Sequence, residues 1–473
     1  MEARMKLRRC VFLLTTRCAF YIVCSAFVVG QVLGCANRYG KGSKRSISQF
    51  RAEKRAAQRE NLDEPSDPAL IPKARTPVRV LESLAKSVGS SHIRIQNTCV
   101  EGSARSCYRQ ALDRTFLQLD SLSERPERNV RILQLGDSHI AGDYITGTAR
   151  QRLQERFGNA GRGFVHVEQK APYGGRRLKR SGPWRRARIV DQGQAGNDFG
   201  FSGMSYESVG NNASIEYKLD DEARIYVHYL ANPKGSVLKL SINGKNIGTL
   251  DTYSETKKTK SRGFTVPKQS SRSSTEKRVL KIRSEGPGSL IFGISYERRD
   301  KGLFYDSIGP VGADAKVYLS MGRRSFVEQL QELKPDLVII MLGGNDAMRV
   351  RKKTATIQKI GEEHKKLIEV VQYALPNSDC MLWSPMDAGK MKGGQIVSKT
   401  FISEIRYVQQ KVAVEKGCAF WDMYQAMGEE GSVARWSKRR IMNKDLIHPR
   451  RKAGELLGYL FAESFLRAYD QAE

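Results

Sequence analysis

The sequence predicts an α/β domain built on a parallel sheet, interrupted by an all-β domain. Two observations predict the sheet. "DLVIIML", "DCMLWSP" and "GCAFWDM" are short continuous apolar runs, the mark of strands buried on both faces. Helical patterns alternate with them, which calls for helices on both sides of a parallel sheet. A third observation predicts the interruption. From about residue 164 to 300 the period changes to short alternating runs separated by turn signals.

In chain order, residues 1–35 read as an export leader. Arg4, Lys6, Arg8 and Arg9 supply a positive start and "AFYIVCSAFVVGQVLGC" an apolar run ending at Cys35. Gly34 before Cys35 gives the end the look of a lipobox, in which Cys35 would be acylated. The chain is then expected to be exported, periplasmic and tethered to a membrane through that lipid. Residues 36–84 are basic, Pro- and Ser-containing and poor in apolar residues, the composition of a flexible tether.

Residues 85–163 begin the α/β domain. "ALDRTFLQLDSL" has helical spacing, "NVRILQL" reads as a strand, and "GTARQRLQERFG" as a helix stopped by Gly158. Residues 164–300 contain "SIEYKLD", "ARIYVHYL", "SVLKLSING", "KRVLKIRS" and "SLIFGISYE", with turns at Asn243-Gly244 and Gly286-Pro287-Gly288. That pattern predicts an inserted β-sandwich. Tyr206 and Tyr229, at regular strand spacing, are expected in its core. The basic run "GGRRLKRSGPWRRARIV" around Trp184 reads as a solvated loop. Residues 301–473 resume the α/β pattern, with helices in "RSFVEQLQEL", "IQKIGEEHKKLIEVVQYAL", "ISEIRYVQQKVAVEK" and a last one in "AGELLGYLFAESFLRAY".

Lys and Arg number 80 against 50 Asp and Glu, a formal net charge of +30. Such a surplus suits an anionic partner. It is spread along the chain, and no zinc-finger or RNP motif accompanies it, so nucleic acid is not expected. Cys99 and Cys107 are close enough in sequence to be bridged in an oxidising compartment. Cys380 and Cys418 sit in apolar strand runs and read as small buried residues. No cysteine or histidine pair has metal-ligand spacing.

Three polar clusters fall where chemistry is expected in a parallel sheet, near the carboxyl ends of its strands. They are Gly136-Asp137-Ser138-His139, Gly343-Gly344-Asn345-Asp346 and Asp445-Leu446-Ile447-His448. Together they hold the parts that acyl transfer needs. Ser138 is a nucleophile on a turn into a helix, and its own N–H is an oxyanion donor. His448 is the base, and Asp445, three residues earlier, can fix its tautomer. Asn345 supplies a second oxyanion donor. His139 is a poor base for Ser138, because neighbouring side chains on a turn point apart. Asp137 and Asp143 read as residues that order the loop.

The clusters resemble three blocks of the SGNH, or GDSL-type, hydrolases. The resemblance implies a three-layer α/β/α, flavodoxin-like fold and a Ser-His-Asp triad that needs neither metal nor organic cofactor. It also assigns "YDSIGPVGADAKVY" to the remaining block, with Gly312 as the third oxyanion donor. Within the family, "LGDSHIAGDYITGTARQRLQERFGNAGRG" is similar to bacterial peptidoglycan O-acetylesterases, which read GDSH and carry a β-sandwich between these blocks. Pro310-Val311 departs from their usual Val-Asn. The implied activity is removal of O-acetyl groups from peptidoglycan or a similar glycan. The rival readings are a polysaccharide O-acetyltransferase, a general carboxylesterase and a non-catalytic glycan-binding lipoprotein.

Overall fold

The computed structural model describes residues 76–103, 106–124, 128–168, 178–192, 198–219, 223–268 and 278–472. The leader, Cys35 and most of the tether lie outside them. Five parallel strands form the central sheet, in the order Leu303–Ile308, Val130–Leu135, Leu337–Met341, Asp379–Trp383, Ala419–Trp421. Numbered along the chain this is 2-1-3-4-5, the flavodoxin-like order.

The apolar runs are continuous because both faces are covered. Along Leu337–Met341, Leu337, Ile339 and Met341 join one core, while Val338 and Ile340 join the other. Helices Tyr144–Phe157 and Arg451–Asp470 contribute Ile145, Leu153, Leu456 and Phe465 to the first. Helices Arg323–Leu333, Ile357–Ala374 and Ile402–Glu415 contribute Phe326, Leu367 and Val412 to the second. The fold class is the expected one. Among the described residues, no helix is long and apolar enough to cross a membrane.

The all-β region interrupts the crossover from Val130–Leu135 to Leu303–Ile308. Its strands lie between Gly163 and Glu297 and form two antiparallel sheets. Their facing sides enclose a separate core that includes Ile215, Val227, Leu240, Ile282 and Ile294. Tyr206 and Tyr229 are buried in it.

Three sequence expectations need correction. The end of the expected flexible tether, Val78 to Leu84, lies in helix Val78–Val88, whose Leu81 is buried in the first core. The described part of the arginine-rich run is not a loop: Leu178–Ser181 and Trp184–Arg188 are strands, one at the edge of each sheet. Its charges are paired there, Arg180 and Arg186 with the buried Glu168, Arg185 with Glu207 and Arg188 with Asp191. Cys380 and Cys418 are buried, as expected, but they are also bridged to each other. The pairing of Met381 with Ala419 in neighbouring parallel strands brings the preceding cysteines opposite one another, with Cα atoms 4.8 Å apart. Cys99 and Cys107 form a second disulfide.

Candidate active site

The sheet order reverses beside Val130–Leu135, and ligand crevices open at such a switch point. The chain leaves that strand through Gly136, where a Cβ would lie 2.7 Å from Ile140 Cδ1 and 3.0 Å from the Met341 carbonyl. The Gly136 N–H donates to the Ile308 carbonyl at 2.8 Å, which pins the turn to the neighbouring strand. Asp137 then caps the short helix Ser138–Ala141, its Oδ1 accepting from the His139 N–H at 2.9 Å. Ser138 is therefore the first helical residue, where a backbone N–H has no intrahelical acceptor.

His448 reaches Ser138 from a loop 310 residues further on. Ser138 Oγ lies 2.8 Å from His448 Nε2, and His448 Nδ1 lies 2.6 Å from Asp445 Oδ2. The other Asp445 oxygen accepts from the Ile447 and His448 N–H groups at 2.9 and 3.0 Å. This bends the loop back on itself and places Leu446 in the left-handed region, at φ 59°. That conformation is costly for a branched residue and persists only where its surroundings fix it. The Leu446 carbonyl accepts from the Gly389 N–H at 2.7 Å, and its side chain packs on the core. Burial raises the Asp445 pKa, but the bonds from His448 outweigh it and hold the carboxyl down at about 2. Any loss of activity well above that pH is not protonation of Asp445.

The two remaining predicted donors line the same cavity as Ser138. Pro310 to Ala313 form a turn closed by the Ala313 N–H on the Pro310 carbonyl at 3.0 Å. Gly312 is its third residue, at φ 86°, a position that favours glycine. A Cβ there would meet nothing within 4 Å, so backbone conformation rather than space is what calls for glycine. Pro310-Val311 is compatible with this turn. Asn345 stands on the first turn of helix Gly344–Arg351. Its Nδ2 donates to the Ala313 carbonyl at 2.8 Å and lies 3.4 Å from Asp137 Oδ2. Asn345 thus braces the Gly312 turn with one hydrogen, and its second has only a long contact.

His139 makes contacts that sequence reasoning left open. It does not contact the Ser138 hydroxyl. Its Nδ1 lies 2.7 Å from Asp137 Oδ1 and its Nε2 3.2 Å from the Ile447 carbonyl. Both nitrogens face acceptors, so the ring is satisfied with both protonated. Burial opposes that charge, but the Asp137 carboxylate outweighs it and raises the His139 pKa above the usual histidine value. Asp137 is lowered in return, the His139 charge and its hydrogen bonds offsetting burial. The His139 and His448 rings lie 5.3 Å apart, tilted by 31°. His139 therefore holds the peptide next to His448. Replacement by Gln should lower kcat about ten- to a hundredfold with little change in KM, because the loss is one of alignment. Steady-state kinetics checks this, and an equal rise in KM would point to substrate contact instead.

Ser138, His448, Gly312 and Asn345 share a cavity of about 190 Å³. Its apolar lining includes Met341, Leu342, Met348, Pro385, Met386 and Ile402. Among the described residues, no group of three or more His, Cys, Asp or Glu side chains could hold a metal ion. The arrangement has what nucleophilic acyl transfer requires: a hydroxyl, a base within reach, a carboxylate behind the base, and N–H groups opposite.

Residues 309–454 match the GDSL-like lipase/acylhydrolase family. A solved structure described as "Peptidoglycan O-acetylesterase in action, 5 min" has a TM-score of 0.64 and 23% identity, over 76% of this chain and 97% of its own. A family two carbohydrate esterase from Clostridium thermocellum in complex with cellohexaose covers 56% of this chain and 95% of its own, at 10% identity and TM-score 0.28. An acetyl xylan esterase covers 36% of this chain and 81% of its own, at 18% identity and TM-score 0.27. No curated protein matches the chain. The match to the GDSL-like lipase/acylhydrolase family thus covers residues 309–454, and the chain shares its fold with the first of these structures.

Proposed function

We propose that the protein is a serine esterase that removes O-acetyl groups from peptidoglycan or a similar cell-wall glycan. The observation that carries this reading is the unbroken chain from Ser138 Oγ through His448 to Asp445, with contacts of 2.8 and 2.6 Å. Ser138 attacks the acetyl carbonyl as His448 Nε2 takes its proton, and Asp445 stabilises the imidazolium. The Ser138 and Gly312 N–H groups and the Asn345 hydrogen now held only at 3.4 Å by Asp137 receive the oxyanion. The tetrahedral adduct collapses as His448 returns the proton to the sugar oxygen. Water, activated by the same imidazole, then releases acetate from Ser138. Likeness of fold to a peptidoglycan O-acetylesterase supports that substrate class.

Export and acylation of Cys35 belong to the same proposal. Two disulfides, Cys99–Cys107 and Cys380–Cys418, support an oxidising compartment. The test of function is acetate release from O-acetylated peptidoglycan. The wild type should release acetate, and Ser138→Ala should not. Equal release by both would refute the serine mechanism. Transfer of acetyl to an added chitooligosaccharide in place of release would make the protein a transferase.

A further inference from the structure

Asn345 and Met348 line the catalytic cavity from helix Gly344–Arg351. The residues that follow them, Asp346 and Arg349, do not line it. They belong to a cluster of charges that adjoins the predicted oxyanion donors along the chain. Arg349 Nη1 lies 2.5 Å from Glu363 Oε2, 3.3 Å from Asp314 Oδ2 and 3.7 Å from Asp346 Oδ1, and its Nη2 donates to Glu363 Oε1 at 3.0 Å. The three carboxylates are buried and the guanidinium is partly so. One arginine thus faces acids from three elements: the cap of helix Ala315–Leu319, the first turn of helix Gly344–Arg351, and helix Ile357–Ala374.

A two-pronged contact between Arg349 and Glu363 is an ordinary tie between two helices. It does not explain the two aspartates. Asp346 is fully buried, its Oδ1 accepts no hydrogen bond, and its Oδ2 is 3.4 Å from His364 Nε2. Asp314 caps its helix through Oδ1, which accepts from the Val317 N–H at 2.8 Å, and leaves Oδ2 to Arg349. Burial first, and the Asp346 charge second, raise the Asp314 pKa above the usual aspartate value, so the two acids are neighbours that repel. Buried acids this thinly hydrogen-bonded are a cost to stability rather than a gain.

Their places in the chain supply a reason. Asp314 follows Ala313, whose carbonyl accepts from Asn345 Nδ2 at 2.8 Å, and Asp346 follows Asn345. That hydrogen bond joins the Gly312 turn to helix Gly344–Arg351. The residue after each of its two members is therefore a carboxylate that faces the same guanidinium nitrogen. Arg349 is a second clasp in parallel with the hydrogen bond. Without it, Asp314 and Asp346 would push the turn and the helix apart, and two of the three oxyanion donors would lose alignment.

We infer that Arg349 is a positioning residue for the oxyanion hole, holding Asn345 and the Gly312 turn together through Asp346 and Asp314. The inference rests on the esterase reading above. The effect belongs to the transition state, because the donors meet a full charge only as the tetrahedral adduct forms.

The test is steady-state hydrolysis of 4-nitrophenyl acetate by the full chain, with urea unfolding of each variant as the check of folding. Asn345→Ala should lower kcat about a hundredfold. Arg349→Gln should lower kcat about tenfold, with KM changed by less than about twofold. In the Asn345→Ala background the further loss from Arg349→Gln should shrink to about twofold, because the main donor that Arg349 holds is gone. Arg349→Lys keeps a cation without the planar fork, and its loss should be smaller and equally diminished in the Asn345→Ala background. It carries the same comparison if Arg349→Gln does not fold. A role in folding alone would lower the urea midpoint, leave kcat of the folded enzyme within about twofold of wild type, or multiply in full with Asn345→Ala, and either kinetic result overturns the inference. Turnover that is undiminished in Ser138→Ala overturns the esterase reading, and this one with it; turnover that depends on Ser138 but not on Arg349 overturns this one alone.

Discussion

Ser138→Ala and His448→Ala should each lower kcat on 4-nitrophenyl acetate by about 10³-fold or more, with KM changed far less. The double variant should be hardly worse than either single one. The reason is the geometry: the hydroxyl is 2.8 Å from Nε2, and that ring is held by Asp445 at 2.6 Å. A hydroxyl without its base is a poor nucleophile, and a base without its hydroxyl has nothing to activate. Asp445→Asn should fall between, since the amide can hold the ring but cannot stabilise its charge. Additive losses in the double variant would mean that Ser138 and His448 act separately. Stopped assays with purified protein at fixed pH suffice to measure this.

Asp143→Ala should produce the largest loss of stability, about 3–5 kcal/mol. Asp143 is a buried carboxylate in the left-handed region, at φ 59°, between the Ser138 helix and helix Tyr144–Phe157. It accepts two hydrogen bonds from Arg150, at 2.8 and 2.9 Å, one from Thr146 at 2.6 Å, and another from Arg162. Arg150 also donates to the Tyr305 carbonyl at 2.7 Å. One carboxylate thus ties the helix after the nucleophile to the neighbouring strand and to the start of the β insert. Removing it leaves the buried Arg150 and the partly buried Arg162 without their shared anion. Burial and Arg150 already hold the Arg162 pKa below its usual value, so the site has little tolerance for a lost anion. Burial opposes the Asp143 charge, but the two arginines outweigh it and depress its pKa. The stability this contributes is therefore fully present above the usual aspartate pKa and is lost as the pH falls towards the depressed one. Urea unfolding checks this. Adding Arg162→Met should recover part of the loss, because it removes one stranded charge. A change below about 0.5 kcal/mol in Asp143→Ala would show that the pair of arginines is hydrated rather than buried.

Part of the candidate site was legible because Ser138 and Asn345 follow strand ends, whereas Asp445 and His448 stand on the loop before the last helix. The run "DLVIIML" had to be a strand buried on both faces, so the polar residues after it, Gly343 to Asp346, had to lie at its carboxyl end. The same holds for Ser138 after "ILQL". What was hidden depends on neighbours distant in sequence. The Cys380–Cys418 bridge follows from the register of two parallel strands with a helix between them, which no local pattern reports. The strands on either side of Gly182 looked like a charged loop because their partners, Glu168 and Glu207, come from other strands and turns. His139 was visible as a residue but not as a contact, since its acceptor is the Ile447 carbonyl 308 residues away.

Ser138 is expected to become covalently acylated with His448 as its base. Labelling the intact protein with a fluorophosphonate and mapping the adduct by mass spectrometry tests this most directly. One adduct is expected, on the peptide that contains Ser138, formed far more slowly in His448→Ala. An adduct on another serine, or labelling of Ser138 at an undiminished rate without His448, would contradict it.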